Sequence, residues 1–268
     1  MKKHPLLMIL AALMVAGCST PQPLSERGLK LGQQASEYGN PQDPIAGLAT
    51  STSASTGRIR IYIEGDGRAY ATPRQPSIDP TPIADTATRL LSLDDGAAAY
   101  LARPCQFLSG PRCSIDRWTT HRFSQRNIDA MNAAVDDLKA REKAEQVELV
   151  GYSGGAAVAL LLAAQRDDVF QVQTIAGTID HEAWTESLKL SPLDGSLNPT
   201  DFADRLAQLP QRHLVGDRDT VMPRAVVESY MRKVKPQCAE VITVSATHTQ
   251  GFETAWAQLK DRAIDCKD

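Results

Sequence analysis

The sequence predicts an α/β fold in which a mainly parallel sheet of about six strands carries helices on both faces. From Arg58 onward, strand-like and helix-like segments follow one another in the order β-α-β-α-β-α-β-insertion-β-α-β-α. Such alternation requires crossover connections, which are right-handed, make the strands parallel and lay helices on both faces. A chain of 268 residues is also long enough for one such domain with a sizeable core.

Hydrophobic periodicity places the individual elements. The clearest strand has Ile59, Ile61 and Ile63 alternating with polar residues. The clearest helix begins after Ser124, where apolar residues recur at helical spacing. The predicted strands are residues 58–64, 97–103, 147–150, 169–175, 213–215 and 239–244. The predicted helices are residues 84–93, 124–141, 154–165, 224–234 and 252–264, and residues 180–208 form a small irregular insertion after the fourth strand.

The first residues predict export and lipidation. Lys2 and Lys3 precede an apolar segment, Leu6–Val15, which is shorter than the roughly 20 residues that span a bilayer. The segment ends in Val-Ala-Gly directly before Cys18. This ending resembles a bacterial lipobox, and the resemblance implies cleavage before Cys18 and acylation of that cysteine. An ordinary secretory signal with an unmodified cysteine is the alternative.

The predicted domain organisation follows from this leader. Residues 1–17 are a lipoprotein signal peptide, residues 18–55 a flexible tether with one short helix near residues 29–38, and residues 56–268 the folded domain. Acyl chains would hold the protein firmly to a bilayer. Because Ser19 is not an aspartate, the resemblance to lipoproteins implies the outer membrane of a Gram-negative cell envelope, facing the periplasm.

Charge and cysteine usage agree with an exported protein. The formal net charge is −3 and no basic stripe is present, so a nucleic-acid partner is not expected. Besides Cys18, four cysteines remain, and they allow three pairings. Cys105 and Cys113 flank a short loop, so we expect them to pair, which leaves Cys238 with Cys266. Four reduced thiols are the alternative, but an oxidising periplasm favours disulfides. The spacings do not fit a zinc site, and no metal or other cofactor is expected.

Residues 146–165 carry the main chemical motif. The segment Gly151–Gly155 reads G-x-S-x-G between an apolar strand and an Ala/Leu-rich helix, the context of a nucleophile elbow. Such a turn needs glycines because chain segments pass close to it. It would expose the Ser153 hydroxyl and place the Gly154 N–H at a helix N-terminus, where partial positive charge favours an oxyanion. A glycine-rich turn with an incidental serine is the alternative.

A serine nucleophile needs a general base, and the five histidines can be compared one by one. His248 follows the last strand, at the carboxyl edge of the sheet where active sites of parallel sheets lie. His181 also lies at this edge and is the alternative base, although it comes early in the chain. His4 leaves with the signal peptide, His121 precedes a helix, and His213 begins a strand at the opposite edge.

The order of elements, with a serine elbow after the third strand, resembles the α/β-hydrolase fold without the first two strands that many members carry. The resemblance covers Arg58–Asp268, and the leader makes the chain similar to lipoprotein-anchored bacterial members. It implies a three-layer fold and a Ser–Asp–His triad in that chain order.

The segment Gly216–Pro223 resembles the G-x-x-D-x-x-x-P loop of this family, in which the aspartate orients the histidine. The resemblance implies Asp219 as the acid and the triad Ser153, Asp219 and His248. Asp217 is the alternative, and two carboxylates so close disfavour joint ionisation unless one is solvated.

Two backbone N–H groups would form the oxyanion hole. One belongs to Gly154, and the other is expected from the Gly-Asp-Gly turn after the first strand, where Asp66 N–H is the predicted donor. Glu64 stands where the family often has histidine, and a turn without a catalytic role is the alternative. Further candidates for the rim of the pocket are Trp118, Arg122, Phe123, Trp184 and Leu193.

The sequence therefore predicts a serine hydrolase that cleaves acyl bonds, above all carboxylic esters, of a small or lipid-like substrate through an acyl-enzyme at Ser153. A serine at the elbow argues against the dehalogenase and epoxide-hydrolase branches, which have aspartate there. Amides, thioesters and peptides are alternative substrates. A non-catalytic envelope lipoprotein that uses the fold for binding is the alternative from a different class.

Overall fold

The computed structural model describes residues 21–49 and 57–266. The strands are β1 (Gln34–Tyr38), β2 (Ile45–Ala49), β3 (Arg58–Ile63), β4 (Tyr70–Thr72), β5 (Gln75–Pro76), β6 (Ala98–Leu101), β7 (Gln146–Tyr152), β8 (Val169–Ile175), β9 (Gln211–Gly216) and β10 (Ala239–Val244). The helices are α1 (Leu24–Leu31), α2 (Thr86–Leu91), α3 (Gln125–Glu142), α4 (Gly154–Gln165), α5 (His181–Leu188), α6 (Ala203–Leu206), α7 (Arg224–Val234) and α8 (Phe252–Leu259), with short 3₁₀-helices at Ile115–Trp118 and Pro199–Phe202.

The main sheet has the strand order β1-β2-β6-β3-β7-β8-β9-β10, and β4 and β5 pair separately. The six strands from β3 onward in this sheet are parallel, as the alternating pattern predicts. Helices α3, α4 and α7 contribute to one apolar cluster, and α2 and α8 contribute to another. The predicted three-layer α/β arrangement is confirmed, with β7, the strand that leads to Ser153, in its interior.

The sheet has eight strands rather than about six, because residues of the predicted tether form two of them. β1 pairs antiparallel with β2, and β2 pairs antiparallel with β6. Ile45 and Leu48 of β2 are fully buried. The prediction of a flexible tether is therefore wrong for residues 24–49. The short helix expected near residues 29–38 lies earlier, at residues 24–31, and β1 occupies the rest of that range. These segments are short and rich in small residues, so their burial depends on β6 and is not visible in local composition.

The predicted insertion, residues 180–208, is also more regular than expected. It contains α5, the second 3₁₀-helix and α6. Helix α5 begins at an N-cap in which the Asp180 carboxylate accepts the Ala183 N–H. Two other predicted helices are real but shorter than expected, since α2 covers residues 86–91 and α8 ends at Leu259.

Both predicted disulfides are present in the structure. Cys105 is bonded to Cys113, with 5.6 Å between their Cα atoms, and Cys238 is bonded to Cys266, with 4.5 Å between theirs. The second disulfide ties the C-terminal segment to the chain just before β10.

The predicted signal peptide, Cys18 and the rest of the tether lie outside the described residues and stay predictions. In the part of the chain that the structure describes, no helix combines the length and the apolar character needed to cross a membrane.

Candidate active site

The nucleophile elbow lies between β7 and α4. Ser153 has φ 52° and ψ −122°, a conformation that is strained for a residue with a Cβ atom. A Cβ at Gly151 would collide with Ala156, and one at Gly155 would collide with the carbonyl of Ile63. The glycines are therefore required by close packing of the elbow against its own helix and against β3, as the motif predicts.

The predicted triad residues lie together in one hydrogen-bonded row. His248 Nε2 is 3.0 Å from Ser153 Oγ, and His248 Nδ1 is 2.9 Å from Asp219 Oδ2. The Asp219 side chain is fully buried. An acceptor at Nδ1 favours the tautomer with its proton there, which leaves Nε2 free to accept the serine proton.

The structure also separates the two candidate acids. Asp219 Oδ1 accepts the backbone N–H groups of Val221 and Met222 at 2.9 and 2.8 Å, so the carboxylate is held with its other oxygen toward the imidazole. Asp217 instead accepts the Ala246 N–H at 3.1 Å. Of the two aspartates, Asp219 is the one placed to orient His248.

The other histidines within the described residues make different contacts. His181, the alternative base, is buried at the start of α5 with its ring 6.1 Å from that of Phe123, and burial lowers its pKa. Its ring nitrogens have no partner in the described part of the chain. His213 lies inside β9, where its Nδ1 shares a hydrogen bond with Thr174 Oγ1. Burial lowers the pKa of His213 to about 3.

The loop that carries His248 is held by three side chains that the sequence did not single out. The Tyr152 hydroxyl donates to the His248 carbonyl at 3.0 Å, and the two rings lie 5.4 Å apart. Thr86 Oγ1 and Arg89 Nη2 donate to the Thr249 carbonyl at 3.4 and 2.6 Å. Nothing in the local sequence marks these residues, because each acts on a loop far away in the chain.

The turn after β3 lies directly against the nucleophile. A Cβ at Gly65 would be 3.1 Å from the Ser153 Cβ. The Gly65 N–H donates to Glu64 Oε1 at 2.9 Å. Within the described ranges, the N–H groups of Asp66 and Gly154 have no protein acceptor, so both predicted donors are free beside Ser153.

The half-buried Asp66 side chain is the centre of an ion cluster with two buried arginines that sequence reasoning missed. Its carboxylate lies against Gly154, where an added Cβ would collide with Oδ1. Arg103 Nη1 is 3.0 Å from Oδ1 and Arg122 Nη1 is 2.5 Å from Oδ2. Burial opposes ionisation, but the two guanidinium groups outweigh it and hold the pKa of Asp66 below its usual value.

Ser153 and His248 line a cavity of about 430 Å³. Arg122 and Trp184, two of the predicted rim residues, are part of its wall, whereas Trp118 lines a larger cavity of about 830 Å³ next to α1. The smaller cavity is the candidate active site because the nucleophile and the base of the triad line it. Its apolar wall includes Tyr70, Pro82, Ile83, Val221 and Met222.

Comparison with known families identifies the chain. The model of the family described as Serine hydrolase (FSH1) matches residues 109–253, more than half of the chain. The chain belongs to the FSH1 serine hydrolase family. The matched residues of this α/β-hydrolase enzyme include Ser153, Asp219 and His248, whereas Asp66 and Arg103 precede the matched region.

Solved structures share the fold of this serine hydrolase at low sequence identity. An esterase from Pyrococcus furiosus is 15% identical over 96% of each chain, with a TM-score of 0.60. An alpha-beta serine hydrolase homologue from Coxiella burnetii is 15% identical over 85% of this chain and 94% of its own, with a TM-score of 0.58. A bacterial membrane phospholipase A is 14% identical over 88% and 87%, with a TM-score of 0.55. A search of curated proteins gave no match.

Proposed function

We propose that this serine hydrolase cleaves carboxylic esters through an acyl-enzyme at Ser153. The observation that carries the proposal is the row of hydrogen bonds from Asp219 through His248 to Ser153, which faces a partly apolar cavity. The names of two structural neighbours, an esterase and a phospholipase A, point in the same direction.

Acylation would begin with proton transfer from Ser153 Oγ to His248 Nε2 while Oγ attacks the ester carbonyl carbon. Asp219 accepts the Nδ1–H bond, which keeps the imidazole in the reactive tautomer and stabilises its cation. The oxyanion of the tetrahedral intermediate would accept the N–H groups of Gly154 and Asp66, which are free for this purpose.

The intermediate then collapses as the bond between the carbonyl carbon and the alcohol oxygen breaks. His248 Nε2 returns its proton to the leaving alcohol, and the acyl group stays on Ser153. Water enters, gives a proton to His248 and attacks the acyl carbon. The second collapse releases the carboxylic acid and restores the serine hydroxyl.

We also propose that the enzyme works in the cell envelope, anchored by lipid on Cys18 and facing the periplasm of a Gram-negative bacterium. The lipobox-like leader supports this location. The two disulfides agree with an oxidising compartment.

Labelling with a fluorophosphonate probe and hydrolysis of p-nitrophenyl esters test the catalytic proposal. Wild type should be labelled and should hydrolyse the esters, whereas Ser153→Ala should lose labelling and about 10⁴-fold or more of kcat. Ser109→Ala is the matched control, because Ser109 is an exposed loop serine and its variant should behave like wild type. Equal labelling of wild type and Ser153→Ala would remove the catalytic role. Activity on an aminoacyl amide alone would contradict the ester substrate.

A further inference from the structure

The guanidinium of Arg122 has one nitrogen without an acceptor among residues 21–49 and 57–266. Arg122 is 4% exposed, its Nε donates to the Thr119 carbonyl at 2.6 Å, and its Nη1 binds Asp66. In the described part of the chain, Nη2 has no acceptor, and it is not among the fully enclosed atoms that lack a partner. Arg122 lines the cavity that holds Ser153, and with Nε and Nη1 engaged, Nη2 is the nitrogen left for a ligand there.

The charged side chains near the wall of the Ser153 cavity carry an excess of positive charge. Three buried arginines, Arg27, Arg103 and Arg122, face the buried carboxylate of Glu64 and the half-buried carboxylate of Asp66. Burial raises the pKa of Glu64, although hydrogen bonds and Arg27 oppose that shift. The excess of positive charge is smallest if Glu64 is ionised. One positive charge is in excess even then, and an uncompensated buried charge is unfavourable.

The triad acid does not supply the missing negative charge. The two oxygens of Asp219 are engaged by His248 and by backbone N–H groups. Arg103 has no access to the cavity, whereas Arg122 does. Of these three buried arginines, Arg122 is the one that lines the cavity, and the exposed Arg68 is a second cation in its wall.

We propose that Arg122 selects esters that carry a carboxylate a few bonds from the scissile carbonyl. This inference rests on the proposed ester hydrolysis. Arg122 Nη1 binds the Asp66 carboxylate, which itself touches Gly154, so one side chain, that of Asp66, joins the Arg122 guanidinium to the expected oxyanion hole. A carboxylate there would gain a charge-assisted hydrogen bond from a guanidinium that its other contacts hold in place.

The rest of the cavity wall suits an apolar remainder of the same substrate. The Trp184 ring lies 5.9 Å from the Arg122 guanidinium carbon. Tyr70, Ile83 and Val221 are large apolar residues that stay exposed at this cavity. The substrate class is therefore an ester with one anionic group and one apolar part, such as a half-ester of a short dicarboxylic acid.

Matched pairs of esters test the proposal. One pair, p-nitrophenyl hemiglutarate and p-nitrophenyl pentanoate, places the charge in the acyl part. The other, 4-acetoxybenzoate and 4-acetoxybenzamide, places it in the leaving group. Arg122→Met should lower kcat/KM for the charged member of at least one pair by about 10- to 100-fold more than for its neutral partner. Arg122→Lys should restore part of this preference, because it returns the positive charge.

Arg103→Met is the matched control. It removes the same charge from the other side of Asp66 but does not touch the cavity, so it should affect both members of each pair equally. Equal losses for charged and neutral esters in Arg122→Met would overturn the proposal, since Arg122 would then act only by holding Asp66 or the oxyanion. If wild type hydrolyses none of the four esters, the proposed function fails instead.

A binding measurement keeps the test decisive if Arg122→Met does not fold. Ser153→Ala should bind monomethyl glutarate at least about 10-fold more tightly than dimethyl glutarate by calorimetry, because only the first carries a carboxylate. Equal affinity for the two esters would overturn the proposal that the site selects an anionic group. This result would not depend on any measurement of catalysis.

Discussion

At the scale of single residues, the site depends on side chains held in one orientation by groups they do not react with. Ser153 keeps a strained backbone because β7 and the almost fully buried α4 fix both of its neighbours. Asp219 is fixed by two backbone N–H groups, and the loop of His248 is fixed by Tyr152. The reactive atoms therefore meet before a substrate arrives, which avoids reorganisation during the reaction.

The first residue-scale prediction separates the two aspartates. Asp219→Asn should lower kcat by about 10³- to 10⁴-fold with a small change in KM, because the amide disfavours the reactive tautomer of His248 and cannot stabilise its cation. Asp217→Asn is the control and should stay within a few-fold of wild type, since Asp217 contacts the Ala246 backbone instead. Steady-state kinetics on one p-nitrophenyl ester decides, and the reverse ranking would contradict the assignment.

The second residue-scale prediction concerns Asp66 and the dependence of the protein's stability on pH. Its pKa is lowered in the folded protein because the attraction of Arg122 and Arg103 outweighs burial. The unfolded chain therefore takes up this proton at a higher pH than the folded chain does, so the stability that Asp66 contributes is present above its unfolded pKa of about 4 and is lost as pH falls through the folded pKa. Urea unfolding of wild type should show a steeper loss of stability below about pH 5 than Asp66→Asn does.

Asp129→Asn is the control for this prediction, because Asp129 is an exposed residue of α3 that faces no buried arginine. It should keep the pH dependence of wild type. The interpretation fails if Asp66→Asn keeps that dependence as well.

At the scale of elements, the N-terminal segment is part of the domain and supports the site. β2 covers the edge of β6, which would otherwise present unpaired backbone groups and apolar side chains. Helix α1 adds a second link, because the buried Arg27 donates to the carbonyls of Pro82 and Ala84 at 2.6 and 3.1 Å. Those two residues line the cavity of Ser153, so α1 is tied to the wall of the site.

A truncation tests the role of this segment. A chain that begins at residue 57 should be far less soluble and less stable to heat than one that begins at residue 21, because it exposes β6 and loses the buried Ile45 and Leu48. Burial of each such side chain contributes about 1.5–3 kcal/mol. Soluble yield and the melting temperature measure the difference. Equal stability of the two chains would show that α1, β1 and β2 are dispensable.

At the scale of the whole molecule, the parts of the site come from the full length of the folded chain. The turn at Asp66, the elbow, the Asp219 loop and the His248 loop meet at one edge of the sheet because the strands before them are parallel. The disulfide from Cys238 to Cys266 fixes the C-terminal segment of the domain. The proposed lipid anchor would join this enzyme to a membrane through the segment before Pro21.

The anchor gives the whole-molecule prediction. In bacteria fed an alkyne-labelled fatty acid, the full-length protein should take up the label and sediment with membranes, because acyl chains contribute about 0.8 kcal/mol per buried CH₂. Cys18→Ser should lose the label and leave the membrane fraction, whereas Ser19→Ala should keep both. A labelled Cys18→Ser protein would contradict acylation at that residue.

Much of the catalytic half could be predicted because its signals are local. Alternating isoleucines mark β3, glycines around Ser153 mark the elbow, and the last strand places His248 at the productive edge of a parallel sheet. The choice of Asp219 over Asp217 needed a family resemblance, because spacing alone left both open. Each of these features depends on a few neighbouring residues, so periodicity and turn chemistry reveal it.

Long-range contacts decided the rest. β2 contains only small and aliphatic residues, and it is a strand because β6 lies beside it. The ion cluster joins Asp66 to Arg103 and Arg122, which lie 37 and 56 residues further along the chain. No local sequence pattern therefore predicts it. Burial and charge balance are properties of the folded molecule. The catalytic row could therefore be predicted from local patterns, whereas the edge strands and the arginine that faces the substrate cavity appear only when distant segments pack together.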